Sequence, residues 1–103
     1  MTIYVSIGNS DEKLSQVEWS HFQDTLVQTV RQFGKIHGEW YSLPTSQYQN
    51  MCICFDIAPH NIVSKTELRI QLITIGRVYN QESIAWIEGT TEFLTTAPPV
   101  EPL

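Results

Sequence analysis

The sequence predicts an α+β domain in which an antiparallel sheet carries two helices on one face, with elements in the order β-α-β-β-α-β. Three observations predict it. Apolar residues alternate with polar ones at Ile3, Val5 and Ile7, and again at Met51, Ile53, Phe55 and Ile57, the period of a strand with one buried face. Two longer segments carry apolar residues three or four positions apart, the period of an amphipathic helix. Each of these opens on a Ser-x-x-Glu spacing, Ser15 with Glu18 and Ser64 with Glu67, flanked by apolar residues at the positions of a hydrophobic staple.

Taken in order, the first strand covers Thr2 to Ile7 and stops at Gly8. A polar loop, Asn9-Ser10-Asp11-Glu12-Lys13, delivers the chain to helix one, expected over Ser15 to Phe33. Leu14 and Trp19 are its staple pair; Trp19, Phe22, Leu26, Val30 and Phe33 form its stripe, and Gly34 is a terminator able to adopt positive φ. Ile36 to Leu43 and Met51 to Ile57 read as a hairpin around Pro44-Thr45-Ser46-Gln47. The pattern of 36–43 leaves open which of its faces is buried. Helix two is expected to start at the Ser64 capping box and to end near Asn80. Its stripe is Leu68, Leu72, Ile75 and Tyr79, widened by Ile70, Ile73 and Val78. Gly76 costs this helix about 1 kcal/mol against Ala unless a neighbour packs closely there. Ser83 to Glu88 makes the last strand, and Glu92 to Thr95 a short edge piece.

This order is that of the split β-α-β, ferredoxin-like arrangement. In it the first and third strands are central, with Ile3, Val5, Ile7, Met51, Ile53 and Phe55 facing the helices. The other face shows Tyr4, Ser6, Cys52 and Cys54 and is neither charged nor fully polar. Such a face is expected to be covered, and a homo-oligomer is the expected cover.

Composition bounds the function. At 103 residues and 42% hydrophobic content, the chain can bury one core, expected over residues 1–95, followed by a Pro-rich tail at 96–103 that frays. The formal net charge is -5, and the six basic residues are scattered singly, so no stripe exists to neutralise a phosphate backbone and nucleic acid is not an expected partner. No basic n-region opens the chain and no run approaches the about 20 apolar residues of a membrane span, so no membrane partner is expected and the location reads as cytoplasmic. Cys52 and Cys54 lie on one strand face with Cα atoms about 6.6 Å apart, near the upper limit for a disulfide, and are expected to be reduced. One Cys pair with histidines on three separate elements does not make a structural zinc set, so neither metal nor cofactor is expected.

Three groups of residues could carry chemistry. Asn9, Ser10, Asp11 and Lys13 lie between a strand and a helix N-terminus, where free amides favour an anionic ligand group. Trp40, Tyr41, Tyr48 and Trp86, with Gln49 and Asn50, combine flat apolar surfaces with amides able to read a planar heterocycle. His37, Asp56 and His60 are expected at the same sheet edge as Asn9 to Asp11, which permits acid-base chemistry although no spacing signature supports it. The expected ligand site is therefore Asn9, Ser10, Asp11, Lys13, His37, Trp40, Gln49, Asn50 and Trp86, with no catalytic residue assigned.

The opening Ile3-Tyr4-Val5-Ser6-Ile7-Gly8-Asn9-Ser10-Asp11, with Glu39-Trp40 and Gln49-Asn50, resembles small bacterial and phage proteins to which no function attaches. In type, a lone acidic domain also resembles small phage proteins that sequester nucleotide-derived defence signals. The function expected from these readings is a non-enzymatic module that binds or sequesters a small polar, nucleotide-like molecule. Its alternatives are a protein-interaction or inhibitor module and, behind that, a small enzyme acting on a nucleotide-like substrate.

Overall fold

The computed structural model describes residues 1–58 and 61–98. Its elements are β1 (Thr2–Gly8), α1 (Gln16–Phe33), β2 (Lys35–Tyr41), β3 (Asn50–Asp56), α2 (Ile62–Val78) and β4 (Ala85–Gly89). The strands form one antiparallel sheet in the order β2-β3-β1-β4, so β1 and β3 are central and the fold is the ferredoxin-like one the sequence predicts. Ile3, Val5, Ile7, Met51, Ile53 and Phe55 are buried against Trp19, Phe22, Leu26 and Val30 of α1 and Leu68 and Leu72 of α2. The Phe22 ring stacks on Tyr79 with centroids 4.9 Å apart, which joins the middle of α1 to the end of α2.

Helix α1 begins as its capping box dictates. The Glu18 amide donates to Ser15 Oγ and the Ser15 amide to Glu18 Oε1, so two otherwise orphaned donors are satisfied. These bonds hold the Glu18 carboxyl below its ordinary pKa. Helix α2 starts earlier than its Ser64–Glu67 spacing implies. Asn61 is the N-cap, its side chain accepting from the Ser64 amide at 3.1 Å, and Ser64 lies within the first turn. Glu67 instead accepts from Gln71 one turn on.

Four further details depart from the pattern. Gly34 has an extended φ of -152°, not a positive one; a Cβ there would lie 2.5 Å from the Asp56 carbonyl, so close approach of the α1–β2 corner to β3 demands glycine. In β2 the register shifts between Ile36 and Gly38, leaving His37 in a bulge. That shift decides the open question of phase: Glu39 and Tyr41 pair with the core-facing Ile53 and Met51, while Trp40 pairs with Cys52 and joins the uncovered face. On α2, Ile70 and Ile73 are each 53% exposed and Val78 is 74% exposed, so they do not widen the buried stripe. Residues 92–95 form no strand, and Phe93 and Leu94 stand exposed. The expected tail at 96–103 lies outside the described residues from Pro99 onward.

Candidate functional site

The β2–β3 hairpin reverses the chain, so β3 runs against β1: Gly8 pairs with Asn50, and Thr2 with Asp56. Asn9 consequently meets Gln49, while His37 and Asp56 lie at the opposite end of the sheet. The expected gathering of Asn9 to Asp11 with His37 and Asp56 does not occur, and His60 lies outside the described residues.

At the Asn9 end the amides serve the fold. Asn9 is 2% exposed. Its Oδ1 accepts from the Leu14 amide and its Nδ2 donates to the Leu14 carbonyl, each at 3.0 Å, and to Gln49 Oε1 at 3.2 Å. Gln49 and Gln16 bond reciprocally at 2.9 and 2.8 Å. The loop is closed on itself, and its buried amides are spent on one another. Ser10, Asp11 and Lys13 are exposed at its tip, where Lys13 approaches Asp11 at 3.7 Å and Glu82 at 3.4 Å. Asn50 Nδ2 donates to the neighbouring Tyr48 carbonyl. A broad, shallow depression of about 460 Å³, bordered by Gln16, Pro44, Gln47 and Gln49, lies over this end.

At the other end, His37 Nε2 and Asp56 Oδ2 are 2.6 Å apart on the rim of the uncovered face. The hydrogen bond from His37 holds the Asp56 carboxyl below its ordinary range. Among the described residues its other oxygen, Oδ1, is buried without a partner. Trp40 lies on the uncovered face with its six-membered ring over Gly38. Tyr41 is on the helix side, where burial and the Glu39 carboxylate, 2.7 Å from its hydroxyl, push the phenol up to about 12.

Trp86 is the expected residue that the fold places against a cleft. It pairs with Val5 across the β1–β4 ladder and therefore faces the helices. Its ring meets Phe55 edge-on at 6.1 Å, and the Arg69 guanidinium lies 5.2 Å from its centroid on α2. Its indole N–H donates to Glu88 Oε1 at 3.0 Å, and Lys65 Nζ approaches the same oxygen at 3.0 Å. These bonds, that from Trp86 foremost, lower the Glu88 pKa. An aromatic ring held from its edge, face and polar tip keeps one orientation, as a ligand wall requires.

Beside this ring α2 stands away from β4 and leaves a cleft of about 310 Å³. Arg69, Leu72, Ile73, Gly76 and Arg77 line it from the helix, the 81–84 connection closes its end, and Trp86 is its far wall. Gly76 is tight rather than weak: a Cβ would meet Ile84 Cδ1 at 3.2 Å. Asn80, at φ 56°, makes the turn that brings Ile84 back over the helix. The cleft is mostly apolar with a few polar groups at its rim, the usual make-up of a small-molecule site. Arg69, Gly76, Arg77 and Ile84 were not among the expected site residues. Their sequence signal is an Arg pair eight residues apart, Arg69 and Arg77, with a glycine beside the second in the last turn of the helix. Among the described residues, no three His, Cys, Asp or Glu side chains come together as a metal site would need.

No protein-family model matches the chain, and no curated protein is significantly similar to it. Among solved structures it is similar to a Deinococcus radiodurans protein described as a putative antibiotic biosynthesis monooxygenase, with a TM-score of 0.50 and 20% identity over 94% of this chain and 100% of that one. At that identity the likeness establishes the fold. It also corrects the expected function: the protein it matches on this fold is described as an enzyme, not as a binding or sequestering module, and nothing in the likeness supports a nucleotide ligand or a phage anti-defence role. The local geometry agrees with that correction: of the two amides expected to read a heterocycle, Gln49 is buried and bonded to Asn9 and Gln16, and Asn50 donates to the Tyr48 carbonyl. No helix among the described residues is long and apolar enough to cross a membrane.

Proposed function

We propose that this protein is a small enzyme of the monooxygenase type, whose substrate is a planar, largely apolar molecule held in the cleft between α2 and β4. The observation that carries this reading is the clamped Trp86 wall facing an apolar cleft large enough for a small-molecule substrate. The structural neighbour, described as a monooxygenase on the same fold, supports the reaction class. In the form of this reaction that balances with substrate and O2 alone, one oxygen atom enters the substrate and the other leaves as water, the substrate giving up two hydrogens as it becomes a ketone or quinone. Electron-rich polycyclic phenols meet that demand and fit a flat apolar slot. The role of the chain's own residues is to orient: Trp86 stacks against the ring plane, and Leu72 and Ile84 exclude water.

Two copies are proposed to pair through the uncovered sheet face. Its central rows are Gly38, Cys54, Tyr4 and Ile87, then Trp40, Cys52, Ser6 and Ala85, with no charge in either. Trp40 at 55% and Ile87 at 56% exposure leave apolar surface that a second copy would bury.

The test is incubation with a panel of polycyclic phenols under ¹⁸O2, read by mass spectrometry of product and by oxygen uptake. Incorporation of one labelled atom per turnover, lost in a folded Trp86→Ala variant, is the expected result. Absence of uptake across the panel, or uptake untouched by that variant, overturns the proposal.

A further inference from the structure

We infer that the α2–β4 cleft takes an organic acid, and that Arg77 receives its carboxylate. This rests on the cleft being the substrate site and adds the chemical class of its occupant. The chain as a whole is acidic at -5, yet the side chains at this cleft include two guanidiniums and one carboxylate. That carboxylate, Glu82, is engaged by Lys13 at 3.4 Å. Arg69 is also occupied: it lies 5.2 Å over the Trp86 ring, and its charge contributes to the lowered pKa of Glu88. Arg77 is different. Among the described residues it makes no ion pair, and it borders the cleft next to Gly76, where the helix surface is lowest.

Spacing then decides how many anionic groups fit. Arg69 and Arg77 are eight residues apart on one helix, about 12 Å at 1.5 Å rise per residue. With Arg69 held on Trp86, the two do not close on one small anion. A single guanidinium presents a planar fork that matches one carboxylate with two parallel hydrogen bonds. The occupant is then a flat ring system on the Trp86 wall, with one carboxylate directed toward the C-terminal end of α2. That end of the helix is the negative end of its dipole, which favours the Arg77 cation there and opposes a bare carboxylate, so the acid's charge is met by the guanidinium alone.

The experiment titrates isotopically labelled, full-length protein with 2-naphthoate and with its neutral isostere 2-naphthamide, following the Trp86 indole and Gly76 amide resonances. In the wild type the acid is expected to bind about threefold tighter than the amide, the gain of an ion pair with an exposed guanidinium. Arg77→Gln is expected to abolish that preference while leaving the naphthamide affinity unchanged, and Arg77→Lys to retain part of it. Equal affinity for acid and amide in the wild type, or loss of both ligands together in Arg77→Gln, overturns the inference and leaves the cleft as a site. If neither compound moves the Trp86 and Gly76 resonances, the cleft itself is not the site and both readings fall.

Discussion

Replacing Asn9 with alanine separates a strut from a ligand arm, because the two roles predict different losses. Asn9 is 2% exposed, and its side chain satisfies the amide and the carbonyl of Leu14 and one bond to Gln49. Gln49 Oε1 keeps its bond from Gln16 when Asn9 is truncated. Among the described residues the two Leu14 backbone groups have no other partner, and Leu14 is itself only 5% exposed. Leaving a buried polar group unpaired costs about 1–3 kcal/mol, with a carbonyl at the lower end, so the expected loss is about 2–4 kcal/mol. For a chain of this size that lowers Tm by about 8–20 °C. Asn9→Asp should cost more at neutral pH, since a carboxylate oxygen would then face the Leu14 carbonyl and Gln49 Oε1 in place of a donor. Thermal melts followed by circular dichroism, with urea midpoints for both variants, measure this. An Asn9→Ala variant within about 2 °C of the parent would refute the strut.

Four other outcomes follow from the same geometry. Gly34→Ala should destabilise by about 1–3 kcal/mol, because its Cβ meets the Asp56 backbone carbonyl at 2.5 Å, whereas Gly38→Ala meets only the tip of the Trp40 ring at 2.8 Å and should be nearly neutral; chemical denaturation distinguishes them. The Asp56 carboxyl has a folded pKa below its ordinary 3.8, so its contribution is present above that value and is lost as pH falls below it; the urea midpoint of the parent should drop more between pH 5 and pH 3 than that of Asp56→Asn, and equal drops would contradict the His37 bond. Gly76→Ala should push Ile84 from 3.2 Å contact toward the cleft and weaken binding of flat ligands with little change in Tm; unchanged binding would place the ligand elsewhere. Tyr4→Lys, at the centre of the uncovered face, should shift sedimentation from dimer to monomer, and a parent protein already monomeric at micromolar concentration would refute the pairing.

Much of the fold is legible because the relevant signals are local. Period-two alternation at Ile3, Val5 and Ile7 needs no knowledge of partners, and the Ser15–Glu18 box closes within one turn. The start of α2 is less legible because two good N-cap residues, Asn61 and Ser64, stand three positions apart, and only the folded backbone decides between them. The phase of β2 is hidden by the bulge at His37, which changes the facing of every later residue in the strand. The placement of His37 and Asp56 beside Asn9 failed for a topological reason: a hairpin between β2 and β3 makes β3 antiparallel to β1, so equal ends of the two strands point apart. The candidate site is the least legible part. Trp86 carries an aromatic signal, but Gly76, Arg77 and Ile84 acquire their roles only when the turn at Asn80 folds the 81–84 connection back over α2.

The most direct test of the cleft as the working site is to fill each concavity in turn and measure oxygen uptake on the best substrate of the phenol panel. Ile73→Trp places a ring at the lining of the α2–β4 cleft, and Gln47→Trp does the same in the depression at the Asn9 end. Both positions are exposed, so both variants should fold. Loss of turnover in Ile73→Trp with parental turnover in Gln47→Trp is the predicted result. Parental turnover in Ile73→Trp with loss in Gln47→Trp would contradict it and return the site to the loop before α1.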